Sequence, residues 1–407
     1  MDIYYPSMPP GICLDQVREV HKMKLVKDAI YNYIRLDDAQ LRIMDSSQMQ
    51  RLRHIKQIAM GYLVYPGANH TRFEHSLGTM HLAKKYFSIK GIEEDPELVL
   101  AALLHDVGHS AFSHDGEHIF AREGLSHEHF SKERIISGDV ASLIERAGHS
   151  PRRIAGYAAG EGAGVLITGE VGVDRMDYLA RDSYYAGTVH GKVDYEYLFG
   201  NVEIEGDRLA LGEKGVEAAE SLVVSRFLMF STVYQHKTVA IASGMLRAAM
   251  DIAYDEGLFN AGELSTMTDY ECMRAAAQSA KANGIMERLL NRRLYKAAVS
   301  RHRLSLPEGF AESIESGQKL EQIAEEVCGK CGLERHELVL HYSKSSYKPI
   351  SMRVGSGAGV RDLSELSPLV MSVREASERK RRFLVAVPQE KKKEVAAAAE
   401  SIISSYS

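Results

Sequence analysis

The run Leu98 to Leu104 is apolar on every side, with Asp95, Pro96 and Glu97 before it and His105 and Asp106 after it. An N-cap oxygen, a proline at the first helical position and an early carboxylate make a well-formed helix start. A helix without a polar face has to be buried, so this segment predicts a central helix wrapped by other elements. Its end delivers a histidine and an aspartate, with Gly108 as the expected stop. Burying both groups is costly unless they are paired or bound to a metal. A chain of 407 residues that is 45% hydrophobic and 26% charged can supply the surrounding core, which excludes a disordered tail protein.

The surrounding pattern is mostly helical. Apolar residues at three- and four-residue spacing predict helices over 48–58, 73–87 and 96–105, and the segments 173–185 and 216–253 read the same way. Ala158 to Gly172 holds five glycines and reads as a connector. The spacing of Gly160, Gly162 and Gly164 is only a weak phosphate-loop pattern, because no strand-then-helix context surrounds it. Residues 201–211 alternate around Gly206 and Asp207 as a hairpin would. After Gly257, helices with charged faces run to Gly332, and apolar alternation follows at Glu337–Tyr342, Ile350–Val354 and Arg382–Val387 before a helix over Lys391–Ser404. The fold expected is mainly α, a helical bundle over residues 1–256 with a smaller α+β C-terminal module over 257–407.

No stretch reaches the roughly 18 apolar residues of a membrane span, and Met1 to Pro6 lacks a signal-peptide pattern, so a soluble cytoplasmic protein is expected. The four cysteines, Cys13, Cys272, Cys328 and Cys331, are too few for a disulfide scaffold. Cys328 and Cys331 form a CxxC half-site without a second pair, read here as coincidence. The net charge of −5 argues against a nucleic-acid coat, and the runs Arg379–Arg382 and Lys391–Lys393 read as solvated faces. A small phosphorylated ligand needs only a local basic pocket.

Nine of the 17 histidines fall between positions 70 and 129: His70, His75, His81, His105, His109, His114, His118, His127 and His129. Such crowding is what metal-assisted hydrolysis needs. His75, His105, Asp106 and Asp174 stand in an order that invites a metal. Two imidazoles and two carboxylates suit Fe, Mn, Zn, Ni or Mg without choosing among them. Any one of these residues alone is as well explained as a satisfied core or surface group; the four together are not.

The strings His70–Ala83 (HTRFEHSLGTMHLA), Leu103–His118 (LLHDVGHSAFSHDGEH), Val173–Gly187 (VDRMDYLARDSYYAG) and Val233–Lys237 (VYQHK) resemble the HD-domain phosphohydrolases. More narrowly, with Asp45–Gln57 upstream, they resemble the deoxynucleoside triphosphate (dNTP) triphosphohydrolases of the SAM-and-HD-domain type, over roughly residues 20 to 250. The resemblance implies one divalent metal on His75, His105, Asp106 and Asp174, with an additional Mg accompanying the nucleotide. It implies attack by water on the α-phosphorus, releasing deoxynucleoside and intact triphosphate. His109, His114, Glu117 and His127 then line the phosphate side, with His114 protonating the 5′ oxygen. Arg72, Arg175, Arg226 and Lys237 offset phosphate charge. Gln57, Tyr178, Asp182 and Tyr234 hold the sugar and exclude a 2′ hydroxyl, and Gln235 meets the base. Read without the resemblance, Tyr178 and Tyr234 are core aromatics and the arginines are members of salt bridges.

The chain departs from the family where a histidine pair is common, carrying Tyr184 and Tyr185, and where Phe230 replaces a polar residue one turn before Tyr234. Lys24, Asp45, Gln50 and Arg53 match positions that bind an activating guanine nucleotide between subunits in regulated members, while Lys27 stands where those members use a neutral amide. The resemblance therefore implies a homo-oligomer, dimer or tetramer, without a preceding SAM domain. Two alternatives stay open. Another nucleotide phosphohydrolase of this type, a nucleotidase or phosphodiesterase, shares the ligands but has no need of Arg72, Arg175 and Tyr234 together. A non-catalytic nucleotide or nucleic-acid-binding protein keeps the metal for structure.

Overall fold

The computed structural model describes residues 23–315, 317–343, 352–355 and 361–406. Cys13, Met1 to Pro6 and the first two residues of the Ile350–Val354 alternation lie outside them. The described chain opens with a hairpin that the sequence reading did not anticipate, β1 (Lys24–Asp28) paired antiparallel with β2 (Asn32–Leu36). The Asp28 carboxylate shapes its turn by accepting the amides of Ile30 and Tyr31 at 2.8 and 2.9 Å.

The expected helix over 48–58 ends early. Ser47–Arg51 is α-helical and Leu52–His54 is a 3₁₀ turn. The chain then extends so that the Gln57 amide donates to the His70 carbonyl and the Arg72 amide to the Ile55 carbonyl, each at 3.0 Å. These two bonds win over helix continuation and bring Gln57 beside the next helix.

That helix is α1 (Arg72–Lys90), whose first turn is held by the Glu74 carboxylate on the Thr71 amide at 2.6 Å. α2 (Pro96–Leu104) is the central helix the sequence predicts, with Asp95 accepting the Glu97 and Leu98 amides at 2.9 and 3.3 Å. Leu98 to Leu104 are each at most 1% exposed. Truncating one of these leucines to alanine costs about 2–5 kcal/mol. Gly108 is not the left-handed stop expected. It is glycine because the helix His127–Ile136 passes too close for a side chain: a Cβ there would lie 2.1 Å from the Ser131 amide nitrogen.

α2 packs against α1 and the helix Pro151–Ala158. The other helices that bear on the site are α3 (Glu117–Arg122), α4 (His127–Ile136), α5 (Val173–Ala186), α6 (Val216–Met229), α7 (Lys237–Asp255) and α8 (Asp269–Ala276). The glycine-rich connector is ordered into two short turns, Gly162–Gly164 and Val165–Thr168, after Gly160 at φ +89°. β3 (Val202–Glu205) and β4 (Arg208–Leu211) form the expected hairpin turning at Gly206.

The C-terminal part has its own apolar core, which includes Val299, Phe310, Val327, Phe383 and Val395. β5 (Lys296–His302), β6 (Val339–Tyr342) and a later strand, β9 (Arg382–Val387), form one antiparallel sheet with β9 central. α9 (Gly317–Cys331) and α10 (Lys392–Ser404) belong to the same part. Phe383 to Val387 are fully buried, as a central strand requires. Helices were expected through Gly332, so β5 is a correction: only Val299 of its seven residues is buried, which leaves no alternation to read. β7 (Arg353–Val354) and β8 (Arg361–Asp362) extend the β3–β4 hairpin instead. The molecule is thus mainly α with a smaller α+β C-terminal module. No described helix is long and apolar enough to cross a membrane.

Candidate metal centre and its cavity

Three segments converge. α1 contributes Arg72 and His75, the end of α2 contributes His105 and Asp106, and the first turn of α5 contributes Asp174. His105 turns Nδ1 to the Ala102 carbonyl at 2.9 Å, and His75 turns Nδ1 to the Asp177 carboxylate at 2.7 Å. With one ring nitrogen spent in this way, the other is free for a ligand. His75 Nε2 lies 3.0 Å from Asp174 and 3.6 Å from Asp106; His105 Nε2 lies 3.4 Å from Asp106 and 3.6 Å from Asp174.

Both Nε2 atoms are buried without a hydrogen-bond partner. Two buried, unpartnered nitrogens facing two carboxylates are costly to leave as they are. A divalent cation answers both groups at once, so the donor set fits a metal. Although burial opposes charge on His75, the Asp174 and Asp177 carboxylates beside its ring raise it to about 10. Burial pushes Asp174 up, but the neighbouring imidazoles of His105 and His75 prevail and hold it well below the usual carboxylate range.

A second cluster adjoins the first. His109 Nε2 is 3.3 Å from Asp106, and His109 is held neutral by burial and by the neighbouring charges of Arg72 and His127. The Glu117 carboxylate faces three imidazoles: His127 at 2.6 Å, His114 at 3.1 Å and His109 at 3.3 Å. Burial pushes Glu117 up, yet the hydrogen bonds from His114 and His127 lower it strongly. His127 is raised in turn, because its bond to Glu117 outweighs its burial. His114 stands apart with a side chain 70% exposed.

The loop that carries His109 and His114 is strained. Phe112 and Ser113 are consecutive non-glycine residues at φ +59° and +54°. Four contacts hold them. Asp269, from α8, accepts the Phe112 amide at 2.6 Å and the Lys56 amide at 3.0 Å. Ser113 Oγ donates to the Lys56 carbonyl at 2.7 Å, and Arg72 Nε donates to that same Oγ at 2.8 Å. The Asp269 clamp crosses the division at 256/257 expected from the sequence. Burial pushes its carboxyl up to about 6.

The clusters open on one cavity of about 630 Å³, lined by Gln57, Arg72, Arg175, Tyr178, Asp182, Arg226, Phe230 and Tyr234 as well as by His105, Asp106, His109, His114, His127 and Asp174. Arg72 pairs with Asp106. Arg175 donates to the carbonyl of Glu170 at 2.6 Å and also pairs with its carboxylate, from which Arg226 stands 3.9 Å away. Asp182 is held by His70 Nε2 at 2.6 Å and accepts the Tyr234 hydroxyl at 2.5 Å. Tyr234 ends a π-helical turn, Phe230–Tyr234, that breaks the α6–α7 run. Local π geometry of this kind recurs at functional sites. Phe230, read from sequence as a departure, packs edge-on to Tyr234 with Arg226 over its ring.

Gln235 and the exposed Lys237 are not part of the lining. Lys24, Asp45, Gln50 and Arg53 lie outside the cavity, with Arg53 Nε donating to Gln50 at 2.8 Å. Lys27 sits over the Tyr33 ring. Tyr184 is exposed, whereas Tyr185 stacks on His70 and donates to Glu74 at 3.0 Å. Among the described residues, Cys272, Cys328 and Cys331 join no group of metal-ligating side chains. Arg381 of the basic run pairs with Glu315 and Glu378. The sequence reading missed Asp177, Arg181, His70, Glu170 and Asp269. The four-residue spacing of Asp177 and Arg181 on α5 was the available signal for a helical ion pair.

The HD domain model matches residues 72–182, and the HD associated region matches residues 193–405. An uncharacterized protein of Methanocaldococcus jannaschii is 34% identical, covering 92% of this chain and 81% of its own length. The Dictyostelium discoideum homolog of the deoxynucleoside triphosphate triphosphohydrolase SAMHD1 is 29% identical over 67% of this chain, and the Homo sapiens SAMHD1 enzyme is 31% identical over 56%. This chain spans 59% and 44% of those two proteins. Among solved structures, a hypothetical protein from Aquifex aeolicus has a TM-score of 0.73 at 27% identity, covering 92% of this chain and 99% of its own. A phosphohydrolase from Bacteroides thetaiotaomicron shares the fold with a TM-score of 0.70 at 22% identity, covering 90% and 99%.

Proposed function

The chain belongs to the HD-domain phosphohydrolase family, and from that premise we propose that it hydrolyses deoxynucleoside triphosphates to deoxynucleoside and inorganic triphosphate. The observation that carries this reading is that Arg72, Arg175 and Arg226 and the Asp182–Tyr234 pair face one cavity with His105, Asp106 and Asp174.

His75, His105, Asp106 and Asp174 would hold the divalent metal. When bound, it supplies Lewis acidity toward a phosphoryl oxygen and acidifies water. The three arginines offset charge on the triphosphate, which bears about four negative charges and gains more at the reacting phosphorus in the transition state. Arg72, fixed between Asp106 and Ser113, is the best oriented of them. Arg175 and Arg226 exchange Glu170 for phosphate. As water adds to the α-phosphorus, the bond from phosphorus to the 5′ oxygen breaks and His114 gives its proton to that oxygen. Glu117 faces His114 Nδ1 at 3.1 Å and orients the ring for the step. Asp182 and Gln57 receive the sugar hydroxyl, and Gln57 Oε1 is a buried oxygen still without a partner. Tyr178 and Tyr234 close the face where a 2′ hydroxyl would sit.

Incubation with each dNTP and a divalent metal, followed by separation of products, tests the proposal. Deoxynucleoside plus inorganic triphosphate is the expected result. Deoxynucleoside monophosphate plus pyrophosphate means that a different bond is cut and refutes it.

A further inference from the structure

Behind His75, on the side away from the cavity, lies a buried chain of charges that the proposed reaction does not use. Asp177 accepts His75 Nδ1 at 2.7 Å and the Arg181 guanidinium on both oxygens, at 2.9 and 3.0 Å. Arg181 is fully buried, and its remaining arm reaches Asp28 of the N-terminal hairpin at 2.9 Å. The other oxygen of Asp28 shapes the turn of that hairpin through the Ile30 and Tyr31 amides. α1 makes room for the chain with Gly78: a Cβ there would lie 1.8 Å from Asp177 Oδ1 and 2.4 Å from Arg181 Nη2.

We infer that Asp177, anchored through Arg181 to Asp28, is a positioning residue that fixes the tautomer and aim of His75, so that seating of the β1–β2 hairpin and metal affinity are linked. An Nδ1–H held by a carboxylate leaves the lone pair on Nε2, the atom facing Asp174 and Asp106. Arg181 is equally constrained, because a buried guanidinium that loses one carboxylate is left with an unmatched charge. Its position therefore depends on both ends of the chain, one at the metal ligand and one in the hairpin. Linkage is reciprocal: whatever unseats the hairpin weakens the metal, and the metal tightens the hairpin.

The inference rests on the four-ligand metal reading, and the test separates the two. Metal-free full-length protein is titrated with Mn²⁺ by calorimetry, and hydrogen exchange of the hairpin amides is followed with and without Mn²⁺. Asp177→Asn is expected to weaken Mn²⁺ about 10- to 100-fold, a typical loss for a partner behind a metal ligand. Asp28→Asn, which is isosteric and keeps an oxygen for the turn, is expected to weaken it about 3- to 10-fold, with partial recovery in Asp177→Glu relative to Asp177→Asn. In the unaltered protein, Mn²⁺ should slow exchange in residues 24–36. If Mn²⁺ binds the unaltered protein but Asp28→Asn binds it equally well, or the hairpin amides ignore Mn²⁺, the linkage is overturned while the metal site stands. Failure of the unaltered protein to bind Mn²⁺ at all overturns both.

Discussion

The two titratable clusters of the cavity meet at Asp106, yet they are unfinished in opposite senses. Around His75 and His105 the polar atoms converge on a point and two nitrogens have no partner. Around Glu117 one carboxylate already faces three imidazoles, one of which, His114, reaches into solvent. The first arrangement fits a cation. The second is electrically matched without one, and its residues differ mainly in who holds the proton. Both clusters satisfy a distance criterion for metal binding, so distance alone does not distinguish a ligand set from a proton-transfer set. Orphaned ring nitrogens do not either, since His109 Nδ1 in the second cluster is buried without a partner too; the carboxylate already shared by three imidazoles does.

The sharpest way to break the comparison is to remove a ligand. Asp174→Ala should abolish metal uptake, measured by elemental analysis, and lower turnover on the order of 10³-fold or more, while the circular dichroism of the metal-free protein stays that of the parent. A smaller effect is expected on the other side. His114→Gln should lower kcat about 10²- to 10⁴-fold with metal content unchanged. Loss of metal in that variant would merge the two clusters into one.

The smallest effect is on stability. Glu117 has its proton affinity lowered and His127 has its raised. The depressed carboxylate stabilises the fold above about pH 4.3, its unfolded value, and loses that contribution as pH falls through its folded value. The raised imidazole stabilises fully below about pH 6.5 and loses its contribution as pH rises through its own folded value. Their pair should therefore support the metal-free protein most between about pH 4.3 and 6.5, with a melting-temperature change of about 2–4 °C per kcal/mol on either side. Glu117→Gln should flatten that profile in thermal melts. A profile equally curved in the variant would assign the effect to other groups.

Much of this arrangement is written locally in the sequence. The cap at Asp95, the all-apolar run of α2 and the unbroken apolar run Phe383–Val387 of β9 each report their own burial within ten residues, although alternation was expected for β9. The histidine crowding and its flanking strings point to His75, His105 and Asp174, which converge, and to Asp106, which stands between them and His109. What the sequence hides is whatever depends on distant partners. β1 and β5 expose about half of their residues and show no clean alternation, and β2 alternates only over Tyr33–Leu36, too short a stretch to read as a strand. Arg181 and Asp177 read as members of a polar helix face, since nothing nearby in the chain says that a hairpin 150 residues earlier will bury them. The helix expected over 48–58 was lost for the same reason: its second half is recruited by His70 and Thr71, partners a helical pattern cannot announce.

Asp269 carries this dependence on distant partners into time. It is the acceptor for the Phe112 amide in the left-handed pair that precedes His114, and 157 residues separate the two. During synthesis, the side chains of His75, His105, Asp106 and Asp174 emerge before that carboxylate exists, and at ~5–20 residues per second the delay after Asp174 is on the order of ten seconds. A nascent chain can therefore gather these groups early while the histidine loop lacks its clamp, and that loop is locked only once about two-thirds of the chain has been made.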